Sequence, residues 1–146
     1  MKNLEASAFL KNDESMDATF EVPSEIRYIR KASERVLKGL VRRRLNASVL
    51  FDIRLCVEEA VRNAIVHGNG LDKRLPVKVT YGIDGKRFGI TVEDKGRGFN
   101  YKRVPDPTKE KNIWRGGGRG VYLINYLMDR VEFNDKGNVI KMVKYI

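Results

Sequence analysis

Two runs, "VKVTYGI" from Val77 and "RFGITVED" from Arg87, flank the dipeptide Asp84-Gly85. Apolar residues fall on every second position of each run, the period of a pleated strand, and Asp-Gly suits the tight turn of a hairpin. These runs are therefore expected to be antiparallel neighbours. A hairpin with one apolar face needs a second layer to bury it. The preceding sequence supplies one. From Glu25 to about Arg43, Ile26, Ile29, Val36, Leu37, Leu40 and Val41 recur at helical spacing among charges. "RLNAS" breaks that helix, and a second is expected from Ala47 to His67, ended by "HGNG" with Gly68 in the left-handed conformation.

Before the helices, "ATFEV" reads as a short strand closed by Pro23, with Ser24 as a candidate cap for the first helix. After the hairpin, Asn100 to Arg115 has no clean period, carries Pro105 and Pro107, and is long for a simple connection, so a functional loop is expected there. "GRGVYLINYLMD" is a third amphipathic helix, and "RVEFN" and "NVIKMVKYI" form a final hairpin through "DKG". The order predicts an α+β fold. It is a two-layer α/β sandwich with a mixed, mainly antiparallel sheet and helices on one face, forming one domain over residues 18–146 behind a polar leader, residues 1–17, open to disorder.

A chain of 146 residues with 42% apolar content suits one domain. The balance of 29 basic and 19 acidic residues, a net charge of +10, fits nucleic acid, an anionic membrane, acidic protein or phosphate equally. Basic residues are scattered, with their densest cluster Arg42, Arg43 and Arg44 at a helix end, and no aromatic-basic interleaving accompanies them. A solvated surface is favoured over direct nucleic-acid binding. Cys56 is the only cysteine, which excludes an internal disulfide framework and points to a reducing, cytoplasmic setting. No apolar run has the length of a membrane span, so no membrane role is expected.

The second helix carries "CVEEAVRNAIVHG". Glu58 and Arg62 have the acid-first, four-residue order of an exposed ion pair. Glu59 and Asn63 share the other face with Cys56, Ala60 and Ala64, where a carboxylate and an amide oxygen can hold a hydroxyl, a water or a hard cation such as Mg²⁺. His67 extends that stripe to the helix end, where the helix dipole alone would favour it. Asp94 ends the second strand of the hairpin, followed by Gly96 and Gly98. An acceptor-only carboxylate there suits an exocyclic amine, and the bare glycine backbone admits a flat ring or a phosphate. "RGGGRG" opens the third helix, where free N–H groups and the dipole favour an anion, although the pattern is neither a Walker A loop nor a dinucleotide fingerprint.

In the order "EEAVRNAIVHG", "EDKGRGF" and "GGRGVYLINYLMDRVEF", the chain resembles the GHKL-type ATP-binding domains of gyrase, sensor histidine kinases and MutL. Within that superfamily it is most similar to the anti-sigma factor serine/threonine kinases of bacterial partner-switching systems. The resemblance covers about Ala18 to Ile146 and implies the Bergerat-type ATP-binding fold. It implies that Glu59 orients or deprotonates an acceptor hydroxyl, Asn63 supplies an oxygen to Mg²⁺, and His67 lies in the nucleotide site. Asp94 would bind the adenine amine, with Gly96, Gly98 and Phe99 shaping its pocket. Asn100 to Arg115 would be the ATP lid, and Gly116, Gly117, Gly118, Arg119 and Gly120, with Arg115, would meet the phosphates. The final strands offer Asn138 where the superfamily often brings a threonine towards adenine. ATP and Mg²⁺ would be the cofactors, a sigma factor and a STAS-domain anti-anti-sigma protein the partners, and a homodimer the assembly. A nucleotide-gated binding module without transfer is the alternative, and Glu59 argues against it.

Overall fold

The computed structural model describes residues 18–96 and 118–146. Strand β1 (Ala18–Pro23) leads into helix α1 (Arg27–Leu40), a 3₁₀ turn (Val41–Arg43), helix α2 (Ala47–Arg62) and a π-helical turn (Asn63–Gly68). Strands β2 (Pro76–Asp84) and β3 (Arg87–Glu93), helix α3 (Gly118–Leu127), and strands β4 (Arg130–Phe133) and β5 (Val139–Tyr145) complete the order. The sheet runs β1-β2-β3-β5-β4, and every pairing among the described residues is antiparallel.

The hairpin register places Val79 opposite Val92, Tyr81 opposite Ile90 and Ile83 opposite Phe88, and all six are buried. They merge into one core with Ile29, Ala32, Val36 and Leu40 of α1 and Ile53, Val57, Ala60 and Val61 of α2. The helical and pleated apolar stripes read from the sequence are thus the two surfaces that meet. Gly85, at φ 61°, provides the turn between β2 and β3. Asn46 caps α2, its Oδ1 accepting the Ser48 N–H at 2.8 Å, which explains why "RLNAS" ends one helix and starts the next.

Ser24 does not cap α1. Its hydroxyl donates to the Leu75 carbonyl at 2.6 Å, and the residue at the helix start is Ile26, with no side-chain cap. Gly68 is also not the left-handed terminator. Positive φ occurs at Gly70 (59°) and Leu71 (60°), after the backbone has widened so that Asn69 N–H reaches the Ala64 carbonyl at 2.8 Å. Gly68 is needed for a different reason, close approach: a Cβ there would collide with the Asp94 carboxyl group.

Cys56 is wholly buried in α2, and burial, reinforced by the negative charge of Asp52, pushes its thiol up to about 12. Alkylation of the native chain at pH 8 is therefore expected to be slow and to track global unfolding, because the thiolate is the nucleophile. Thiol labelling across a urea series checks this, and modification that precedes loss of helical signal would contradict it.

Candidate functional site

The elements converge on a partly open cleft. Ala60, Asn63 and Ala64 form its helical wall, Val92 and Asp94 line it from the end of β3, and Phe133, Asn138, Val139 and Ile140 come from the β4–β5 hairpin. Apolar side chains with one carboxylate and two amides make a lining suited to a flat, hydrogen-bonding ring.

Asp94 is 4% exposed. Its N–H donates to the Asn138 carbonyl at 2.9 Å, and its carbonyl accepts from Asn138 Nδ2 at 3.1 Å. Oδ1 accepts the Gly96 N–H at 2.9 Å, and no hydrogen-bond donor among the described residues reaches Oδ2. Gly96 is pressed against the backbone of Gly68, where a side chain would strike the Gly68 carbonyl. The glycine after Asp94 and the glycine after His67 therefore allow two backbones to touch beside the cleft.

Burial raises the Asp94 carboxyl above its ordinary value of 3.8, and the Gly96 N–H only partly opposes this. The native chain then binds this proton more tightly than the unfolded chain. Its stabilising contribution is complete below pH 3.8 and is lost as pH rises through the native value. In urea titrations of the free chain, the parent is expected to lose stability relative to Asp94→Asn as pH rises from about 4 through the native titration of Asp94. Parallel curves would contradict this.

Glu59 and Asn63 stand one turn apart and are both partly buried. They meet α3 at Gly120, where an added Cβ would lie 2.5 Å from Glu59 Oε2 and 3.5 Å from Asn63 Nδ2. The first turn of α3 thus closes directly over the acid and the amide. The Glu58–Arg62 pair expected from the sequence is not the one formed. Glu58 Oε2 is occupied by Ser33 Oγ at 2.6 Å and Arg54 Nε at 3.1 Å, so Arg62 turns to Glu59 Oε1 at 2.8 Å. The guanidinium holds one oxygen of Glu59, while the other faces Gly120.

His67 is exposed and does not line the cleft, because the π-helical turn ends the four-residue phase that joined it to Asn63. Arg119 is exposed in the first turn of α3, which begins at Gly118. Gly98, Phe99, the expected lid from Asn100 to Arg115, and Gly116 and Gly117 lie outside the described residues, as does the leader. Among the described residues no three His, Cys, Asp or Glu side chains form a metal cluster. No helix among them is long and apolar enough to cross a membrane.

Three asparagines brace the surroundings of Asp94, and of these only Asn138 lines the cleft. Asn134 Oδ1 accepts from the N–H groups of Asn138 and Val139 at 3.0 and 3.1 Å, shaping the β4–β5 turn that carries Asn138 to Asp94. Asn69 Oδ1 accepts the Lys95 N–H, directly after Asp94, at 2.7 Å.

A sheet covered by helices, with an acid and amide on one helix, an aspartate at a strand end and a glycine at the start of a further helix, defines a GHKL-type ATPase fold. The profile of the histidine kinase-like ATPase domain family matches residues 22–144. The chain belongs to that family. It is 29% identical over 134 residues to the serine-protein kinase RsbW of Oceanobacillus iheyensis, covering 86% of this chain and 84% of that protein. The proteins of the same name from Bacillus subtilis and Staphylococcus aureus are 30% and 33% identical over 102 and 103 residues. Those alignments cover 65% of this chain in each case, and 64% and 65% of the relatives.

Proposed function

We propose that the chain is an ATP-dependent protein serine/threonine kinase that acts as an anti-sigma factor and phosphorylates a STAS-domain antagonist. The observation that carries this reading is the convergence of Glu59, Asn63 and Gly120 beside the Asp94 cleft. Asp94 Oδ2 accepts a hydrogen bond from the adenine amine, and Ala60, Ala64, Val92 and Ile140 flank the ring. Asn63 would offer its amide oxygen to Mg²⁺. That cation favours oxygen ligands and takes several from phosphates and water, so the site fits it without a dedicated carboxylate cage.

ATP with Mg²⁺ supplies an activated γ-phosphoryl group. Glu59 orients the acceptor serine hydroxyl and takes its proton as the oxygen bonds to the γ-phosphorus and the bond to ADP breaks. Arg62 holds Glu59 Oε1, which keeps the carboxylate in place for this task. Binding of a sigma factor and transfer to the antagonist share one nucleotide state, and a homodimer in a cytoplasmic setting is the assembly we favour. The RsbW relatives, each described as a serine-protein kinase, support this reading.

The test is to incubate the full chain with γ-labelled ATP, Mg²⁺ and candidate serine-bearing STAS proteins. Label is expected on one serine of one candidate. ATP-dependent partner binding without any labelled protein would instead support a gated binding module.

A further inference from the structure

We propose that Asn69 positions Asp94 for adenine and so sets which purine the cleft accepts; this rests on the nucleotide reading of the cleft. Asn69 is 4% exposed, and it lies just past the π-helical turn. Its Nδ2 lies 2.9 Å from Ser24 Oγ, 3.1 Å from the Leu75 carbonyl and 3.1 Å from the Pro76 carbonyl. Its Oδ1 accepts the Lys95 N–H at 2.7 Å. The amide has one orientation only: flipping it would set its oxygen against two carbonyls and point its protons at an N–H donor.

The consequence lies in the peptide group between Asp94 and Lys95. Its N–H is held by Asn69 Oδ1, and its carbonyl is held by Asn138 Nδ2 at 3.1 Å. Both ends of one peptide plane are fixed by side chains from different parts of the fold. That plane sets the backbone angle at Asp94 and hence the direction of its carboxylate. The next N–H, of Gly96, is thereby free to hold Asp94 Oδ1 and leave Oδ2 for the ligand. Asn69 does not line the cleft, so its action on a nucleotide passes through Asp94. A site whose acceptor is fixed discriminates against a ring that presents an oxygen where the amine should be, whereas a carboxylate free to swing does not.

The experiment compares the parent, Asn69→Ala and Ser24→Ala by calorimetry with ADP and GDP and by urea unfolding. Ser24→Ala removes one partner of Asn69 and an interelement hydrogen bond but leaves the Lys95 bond, so it controls for lost stability alone. Asn69→Ala is expected to weaken ADP roughly three- to tenfold, the scale of one hydrogen bond, and to lower the ADP-to-GDP preference. Ser24→Ala is expected to lose stability while keeping both. Parent-like ADP affinity and preference in folded Asn69→Ala would overturn this inference alone. A parent chain that binds no ADP would overturn the nucleotide reading with it. Hydrogen exchange in the free parent gives a readout that needs no variant: the Lys95 amide should be protected although its residue is exposed. Exchange at the rate of an open loop would also sink the proposal.

Discussion

Replacing Glu59 by glutamine is expected to slow phosphoryl transfer about 10²- to 10⁴-fold while leaving ATP affinity near that of the parent. The carboxylate is invoked only as the acceptor hydroxyl loses its proton, so its removal acts on the transition state and not on nucleotide binding. The geometry favours this separation. Glu59 Oε2 lies against Gly120, and the side chain is not part of the apolar lining that would flank the ring. The amide of Glu59→Gln keeps the volume beside Gly120 and can still accept from Arg62. Single-turnover rates and calorimetry on the same preparations separate the two effects. Equal rates would remove Glu59 from the chemistry, and a parallel loss of affinity would make it a binding residue.

The second large effect is expected at Asp94. Asp94→Ala removes the buried acceptor and leaves the adenine amine unpaired in an apolar slot. Hydrogen bonds to charged groups contribute about 1.5–3 kcal/mol, so ATP affinity should fall roughly 10- to 150-fold. Asp94→Asn should weaken binding less, since its oxygen can still face the amine if the amide rotates, at the cost of the Gly96 bond. Unchanged affinity in a folded Asp94→Ala chain would show that the ring lies elsewhere.

The layered fold was legible because its apolar periods are strong. Val77, Val79, Tyr81 and Ile83 alternate as a strand must, and Ile29, Val36 and Leu40 follow a helix face. The proximity of Glu59 and Asn63 was legible because helical spacing alone sets them one turn apart. Features set by partners far along the chain were not. Gly68 looked like a helix terminator, yet its role is set by Asp94, 26 positions away, and the widening of the backbone after Arg62 leaves no mark in composition. Glu58 was assigned to Arg62 on spacing, but Ser33 and Arg54 reach it first. Asn69 was passed over within "HGNG", and Asn138 was brought near adenine only by the resemblance, because a sequence does not say which peptide group an amide will hold.

Binding of an adenine nucleotide in the Asp94 cleft, under the start of α3, is tested by titrating the isotopically labelled full chain with ATP and Mg²⁺ and following backbone amides by NMR. Saturable shifts are expected to move together at Asn63, Asp94, Gly96, Gly120 and Asn138, with their midpoint displaced to roughly 10- to 150-fold higher ATP in Asp94→Ala. Shifts confined to other surfaces, with these five amides silent at saturating ATP, would contradict it.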